Sequence, residues 1–186
     1  MDGSRHVALQ LTRAILVFDE DPEVRGRLRL ALVRAGHDVD DFGDHRDALR
    51  ALRSRSYDLL IADVFGRSGR RLREHLRRSA ERAPLVAITR DAPLATLVRV
   101  MRDLAFDFIR ASADVDESMA VVRRALAYAD LGRELRLLEL AGGVMNTARY
   151  ERVLRRVDAA VSDLQLAKQA LRLRARARAN KHQASA

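Results

Sequence analysis

The 186-residue chain contains no cysteine and no tryptophan, and aromatic residues make up only 4% of it. The lack of cysteine excludes disulfide frameworks, thiolate zinc sites and cysteine nucleophiles. No apolar run approaches the roughly 20 residues that a membrane-spanning helix needs. Apolar residues still account for 48% of the chain, which is enough for an aliphatic core. The composition therefore predicts a soluble globular domain.

The first residues lack the apolar core of a signal peptide, because Arg13 and Asp19 interrupt the first apolar stretch. We therefore expect a cytoplasmic protein. Lysine is almost absent, since Lys168 and Lys181 are the only two among 35 basic residues. Residues 147–186 hold ten Lys/Arg and three Asp/Glu, a net charge of +7 out of +9. The basic character thus belongs to the C-terminal segment.

Short apolar runs alternate with helical patterns along the first 130 residues. The runs at 14–18, 59–62 and 85–88 predict buried strands, whereas 39–42 predicts a weak strand and 106–109 a fifth strand. The patterns between them predict helices at 22–35, 46–54, 69–81 and 93–104, and another helix from about Asp116. In the helix at 93–104, the residues expected to face inward are Leu94, Leu97, Val98, Met101 and Leu104. This alternation predicts a parallel sheet covered on both faces, with ligand chemistry at the carboxyl ends of the strands.

Polar side chains directly follow three of these strands. Asp19 and Glu20 follow the first, Asp63 the third and Thr89 the fourth, whereas Asp21 before Pro22 has the pattern of a helix cap. Two carboxylates about 4 Å apart repel by roughly 4 kcal/mol at an effective dielectric of 20. Such a cluster is tolerated when it is hydrated or holds a hard cation such as Mg²⁺. The alternative is that these acids only end strands and cap helices.

Four segments carry a specific resemblance. They are Ile-Leu-Val-Phe-Asp-Glu-Asp-Pro at 15–22, Tyr-Asp-Leu-Leu-Ile-Ala-Asp at 57–63, Val-Ala-Ile-Thr at 86–89 and Ala-Phe-Asp-Phe-Ile at 105–109. In these segments the chain resembles the receiver domain of bacterial two-component response regulators over residues 13–130. The resemblance implies an α/β fold: a flavodoxin-like, five-stranded parallel sheet in the order 2-1-3-4-5, flanked by helices.

The resemblance also implies roles for single residues. Asp63 would be the phosphoacceptor, and it would share a Mg²⁺ ion with Asp19 and Glu20. Thr89 and Phe108 would be the switch residues. A histidine kinase or phosphotransfer protein would supply the phosphoryl group. We expect no enzymatic activity beyond self-catalysed phosphoacceptance and autodephosphorylation.

The chain departs from the family pattern at the lysine that follows the fifth strand. Ala111 stands in its place, Ser112 stands where proline is usual, and no lysine occurs before Lys168. Arg110 is expected to point away from the site, because side chains alternate along a strand. A hydrogen bond to a charged group contributes about 1.5–3 kcal/mol, so its loss predicts weaker control of conformation by phosphorylation.

Three smaller departures affect the same site. Glu20 stands where aspartate is usual for a metal ligand, and the loop at 64–69 is about two residues short. Both weaken the expected Mg²⁺ site, since this ion demands near-octahedral geometry. Arg90 stands where a small residue is usual. It could hinder access to the site or partly replace the missing cation.

The C-terminal part predicts an interaction segment. Gly142 and Gly143 indicate a break, and a new helix then carries a 4-3 apolar seam. The seam consists of Tyr150, Leu154, Val157, Val161, Leu164 and Leu171, with Lys168 at one further seam position. It predicts a homodimer or a partner helix through 147–178, or alternatively an antiparallel hairpin. The expected organisation is a tail at 1–12, a receiver domain at 13–130, a helical extension at 131–178 with a break at 142–146, and a flexible tail at 179–186.

Three functions follow as hypotheses. The first is a response regulator that accepts a phosphoryl group on Asp63 with Mg²⁺ and relays the change to the C-terminal docking helix. The second is a phosphorylation-independent receiver-like adaptor that binds partner proteins. The third is a nucleic-acid-associated regulator acting through the arginines at 172–178. Their alternate spacing spreads them around a helix, so only weak, non-specific phosphate contact is expected.

Overall fold

The computed structural model describes residues 11–79, 83–90 and 92–140, together with residues 151, 155, 156 and 159. The strands are β1 (Ala14–Phe18), β2 (Asp38–Phe42), β3 (Leu59–Asp63), β4 (Leu85–Thr89) and β5 (Asp107–Arg110). The helices are α1 (Pro22–Arg34), α2 (His45–Ser54), α3 (Arg67–Arg78), α4 (Leu94–Asp103) and α5 (Val115–Leu140). Strands and helices therefore alternate as the sequence predicts.

The five strands form one parallel sheet in the order β2-β1-β3-β4-β5. The central strands β1, β3 and β4 are almost wholly buried, as expected of continuous apolar runs covered on both faces. The edge strand β2 is only half-buried and carries three aspartates. This topology confirms the predicted flavodoxin-like α/β fold.

Alternate residues of each strand enter two separate apolar cores. Ile15 and Val17 of β1 belong to the core that includes residues of α1 and α5. Leu16 and Phe18 face the opposite core, which includes residues of α2, α3 and α4. The sheet is thus the middle layer of three. Its rigidity fixes the positions of the loops that leave the carboxyl ends of the strands.

The turns at both ends of α1 have local causes. The Asp21 carboxylate accepts a hydrogen bond from the Glu23 N–H at 2.9 Å, and Pro22 occupies the first turn. Asp21 therefore caps the helix, as its position before proline predicts. After the helix, Gly36 adopts φ +84°, a left-handed conformation that glycine enters at little cost. This turn directs the chain into β2.

One prediction for α4 is wrong. Val98 was expected to face the sheet, but its side chain is 41% exposed, whereas Val100 is buried. Residues two apart on a helix differ by about 200° around its axis, so these two valines cannot share a face. Met101 and Leu104 do pack against the core.

The chain divides into two compact units, Met1–Leu126 and Ala127–Ala186. In the second unit, Arg156 forms an ion pair with Glu134 at 2.9 Å. The predicted break at 142–146 and all of the seam residues lie outside the described residues. The dimer and the hairpin therefore both stay predictions. No helix among the described residues is long and apolar enough to cross a membrane.

Candidate functional site at the carboxyl edge of the sheet

The acids predicted from the strand ends occupy different environments. Asp19 directly follows β1 and is fully buried, and Asp63 is the last residue of β3 and is partly exposed. Because β1 and β3 are parallel neighbours, these two carboxylates emerge at the same edge. Glu20 is exposed. The structure therefore brings Asp19 and Asp63 together and leaves Glu20 at the surface.

The Arg90 guanidinium bridges the two carboxylates. Its Nη2 donates to Asp19 Oδ1 and its Nη1 donates to Asp63 Oδ2, each at 2.7 Å. Nη2 also lies 3.6 Å from Asp21 Oδ2. Arg90 directly follows β4, which places its side chain beside the ends of β1 and β3. One side chain thus links the ends of three strands through charge-assisted hydrogen bonds, which are among the stronger ones in proteins.

Asp63 has a hydrogen bond on each carboxylate oxygen. Oδ1 accepts from the Phe65 N–H at 2.8 Å, and Oδ2 accepts from Arg90. The backbone of Asp63 is also tightly enclosed, because a Cβ added at Gly69 would lie 2.2 Å from the Asp63 carbonyl oxygen. Gly69 belongs to the first turns of α3, so the short loop noted in the sequence reflects an early start of this helix.

Asp19 combines strong hydrogen bonds with an unsatisfied atom. Oδ1 accepts from Arg90 and from the Asp21 N–H, and the Asp19 carbonyl oxygen accepts from Arg25 at 2.8 Å. Oδ2 is buried without a hydrogen-bond partner. Burial raises the pKa of Asp19 above its usual value, although the hydrogen bond from Arg90 opposes that change. The same contact raises the pKa of Arg90, so the guanidinium stays charged.

The residues expected to act as switches lie on the two neighbouring strands β4 and β5. Thr89 is buried and its Oγ1 has no hydrogen-bond partner. Phe108 is partly buried against the core beneath α2, α3 and α4. Their assignment as switch residues stays a prediction.

The position of the family lysine is filled differently. Ala111 offers no cation, and its carbonyl oxygen accepts a hydrogen bond from Arg27 of α1. Arg110 is exposed and pairs with Glu117 at 2.9 Å. It therefore points away from the pocket, the name used here for Asp19, Asp21, Asp63 and Arg90, as strand alternation predicts.

In this arrangement the residues do not fit the predicted magnesium ion. Arg90 occupies one oxygen of Asp19 and one of Asp63, and Glu20 is exposed. Within the described ranges, no group of three or more His, Cys, Asp or Glu side chains could hold a metal ion. A guanidinium already supplies the positive charge that a pair of carboxylates requires. No chemical step at this site is therefore assigned to a metal.

Sequence reasoning missed two of the arginines that shape the site. Arg25 and Arg27 bond backbone carbonyls at the ends of β1 and β5. Both lie in the first two turns of α1 after the Asp21 cap, and that position was the available signal. The sequence indicates that Arg90 is unusual and could partly replace the missing cation. It does not predict which carboxylates Arg90 contacts.

A family model described as the response regulator receiver domain matches residues 15–123, which are more than half of the chain. The DNA-binding transcriptional regulator NtrC of Salmonella typhimurium is 28% identical over 130 residues, covering 69% of this chain and 28% of that protein. Among solved structures, NtrX from Brucella abortus in complex with ATP has a TM-score of 0.64 at 27% identity. That match covers 69% of this chain and 30% of NtrX.

The chemotaxis response regulator CheY4 of Vibrio cholerae has a TM-score of 0.57 at 18% identity, covering 62% of this chain and all of CheY4. This second structural likeness concerns the fold alone. The chain matches less than a third of the length of NtrC and NtrX. The similarity therefore covers only part of those larger proteins.

Proposed function

The chain belongs to the response regulator receiver domain family, and from that premise we propose that it is a receiver-fold adaptor that binds a partner protein without phosphorylation of Asp63. Receiver domains are in general non-enzymatic signalling modules. They interact with histidine kinases or phosphotransfer proteins and bind Mg²⁺ at their phosphorylation site. The adaptor keeps the signalling role of the fold and dispenses with the phosphoryl chemistry.

The observation that carries this proposal is the engagement of both Asp63 oxygens, by the Phe65 N–H and by Arg90. A carboxylate that attacks phosphorus must present a free, negatively charged oxygen. A 2.7 Å hydrogen bond from a guanidinium stabilises the negative charge on that oxygen, which lowers its nucleophilicity, and it blocks one approach to it. Asp63 is therefore poorly prepared to be a nucleophile.

Further hydrogen bonds from arginines hold the loops around Asp63. Arg90 connects the ends of β1, β3 and β4, and Arg27 holds the carbonyl of Ala111 after β5. No lysine occurs in the sequence before Lys168, so none follows β5 at the position where the family has one. The internal arginines thus stabilise one arrangement of the edge, which suits a surface that binds its partner constitutively.

A second candidate function is phosphoacceptance by Asp63 from a histidine kinase or phosphotransfer protein. One specific observation favours it: Asp19 Oδ2 and Thr89 Oγ1 are buried and have no hydrogen-bond partner. Buried polar atoms normally find partners, so these two are suited to ligand atoms that enter the pocket. This function requires Arg90 to leave Asp63. The third hypothesis, nucleic-acid binding by residues 172–178, concerns residues outside those described and stays a prediction.

The test is phosphorylation of the full chain by acetyl phosphate with excess Mg²⁺, followed by intact mass. An ordinary receiver domain treated in parallel reports that the conditions work. We expect the wild-type chain to gain no phosphoryl mass, like the Asp63→Asn variant. If the wild type gains one phosphoryl group and Asp63→Asn does not, the adaptor function is wrong and Asp63 is a phosphoacceptor.

A further inference from the structure

Arg90 is placed as a bound cation would be. Its guanidinium contacts three carboxylates: Asp19 and Asp63 at 2.7 Å and Asp21 at 3.6 Å. The Arg90 side chain is 37% exposed, whereas that of Asp19 is 1% exposed. The pocket therefore has one positive charge for three negative ones, and the positive charge enters from the solvent side.

The pocket keeps oxygen donors that Arg90 does not use. Asp19 Oδ2 and Thr89 Oγ1 are buried and unpartnered. Removal of Arg90 would also free Asp19 Oδ1 and Asp63 Oδ2 from their shared guanidinium. Carboxylate and hydroxyl oxygens are the ligands that hard divalent cations prefer. The donor set of a cation site therefore persists beneath the arginine.

A guanidinium and a divalent ion compete for these two carboxylates. Their mutual repulsion at contact distance, even when screened as in bulk water, corresponds to about a thirtyfold change in affinity. The arginine has a further advantage over a free ion, since it is tethered to the end of β4 and loses less entropy when it binds.

We propose that Arg90 is a resident cation that excludes divalent metal ions from the Asp19–Asp63 pocket, so that its removal converts the pocket into a metal site. This inference rests on the proposed function in one respect. Exclusion of the metal ion would explain why Asp63 accepts no phosphoryl group in the proposed adaptor. It assigns Arg90 a positioning role, holding the two carboxylates together in place of a metal ion.

The experiment is Mn²⁺ binding to the full chain, measured from the electron paramagnetic resonance signal of free Mn²⁺. We expect Arg90→Ala to bind one Mn²⁺ about thirtyfold more tightly than the wild type. Arg50→Ala is the matched control, because it removes the same charge from an exposed arginine that pairs with Asp47 at 3.3 Å. It should bind Mn²⁺ as the wild type does. Adding Asp19→Asn to Arg90→Ala should abolish the gain.

Arg90→Gln serves as a second variant, since it removes the charge and retains a hydrogen-bond donor if Arg90→Ala does not fold. The inference is overturned if a folded Arg90 variant binds Mn²⁺ no more tightly than Arg50→Ala, or if the gain survives Asp19→Asn. That result would leave the adaptor function intact, because wild-type Asp63 would still accept no phosphoryl group. Conversely, phosphorylation of the wild type would overturn the adaptor alone, provided that the Arg90 variants still gain metal.

Discussion

Two clusters of three aspartates lie at different places on the same sheet and are neutralised in different ways. The first, called here the pocket, contains Asp19, Asp21, Asp63 and Arg90. The second, called here the β2 edge, contains Asp38, Asp40 and Asp41 with Arg25, Arg29, Arg55 and Tyr57. One arginine pairs with the carboxylates of the pocket, whereas three arginines and a tyrosine bond those of the β2 edge.

Burial decides what each arrangement contributes. Asp19 is fully buried and retains an unpartnered oxygen. At the β2 edge, Asp38 is exposed and Asp40 is bonded by both Arg55 and Tyr57. An exposed ion pair contributes about 0–1 kcal/mol, whereas breaking a buried pair leaves a charge without compensation. The same residue types therefore form a surface network with several partners at the β2 edge. In the pocket, the buried Asp19 carboxylate depends on the one guanidinium of Arg90.

The largest effect should come from the backbone behind the pocket. Gly69→Ala places a Cβ 2.2 Å from the Asp63 carbonyl oxygen, and neither backbone can move aside cheaply. We expect a loss of about 3 kcal/mol in the free energy of unfolding, measured by urea denaturation. Gly26→Ala is the control, since its Cβ would meet nothing within 4 Å in α1 and should add roughly 0.5–1 kcal/mol. Equal changes in unfolding free energy for the two substitutions would show that Gly69 is not closely packed against the Asp63 backbone.

The second largest change in the free energy of unfolding should distinguish the arginines of the two clusters. Arg90→Ala should lower the free energy of unfolding by about 2 kcal/mol, because it leaves Asp19 buried beside Asp63 without a counter-charge. Arg55→Ala should cost no more than about 1 kcal/mol, although it also removes a contact with the Tyr57 ring at 5.0 Å. Urea denaturation at low and high salt separates them further: salt should screen the Arg55 contribution more strongly. A smaller loss for Arg90→Ala than for Arg55→Ala would reverse the comparison.

The sequence allows prediction of the parts that depend on burial and chain direction. Apolar runs such as 59–62 can only be buried strands, and the ends of parallel neighbours bring Asp19 and Asp63 to one edge. Arg90 shows where such reasoning stops. A long arginine at a strand end can extend into solvent or fold over the edge, and local sequence does not decide between them. The exposure of Glu20 and the contact of Arg27 with the Ala111 carbonyl depend in the same way on tertiary geometry.

The smallest effect concerns His37, which joins α1 to the β2 edge. Burial lowers the pKa of His37 below 6.5, the nearby Arg13 lowers it further, and Asp58 partly opposes this. The folded chain therefore binds the proton less readily than the unfolded chain. This contribution to stability is complete above pH 6.5 and is lost as the pH falls through the lowered pKa. The Nδ1 atom is also buried without a partner, which adds to the cost of protonation.

We expect His37→Gln to reduce the fall in unfolding free energy between about pH 8 and pH 5. Urea denaturation of both proteins across this range measures the change, and an NMR titration of His37 in the wild type locates its pKa directly. A pKa at or above 6.5 would contradict the prediction, as would an unchanged pH dependence in the variant. Because His37 is a single, partly exposed group at the margin of the β2 edge, its effect should stay below that of Arg90, whose loss leaves a buried carboxylate without its cation.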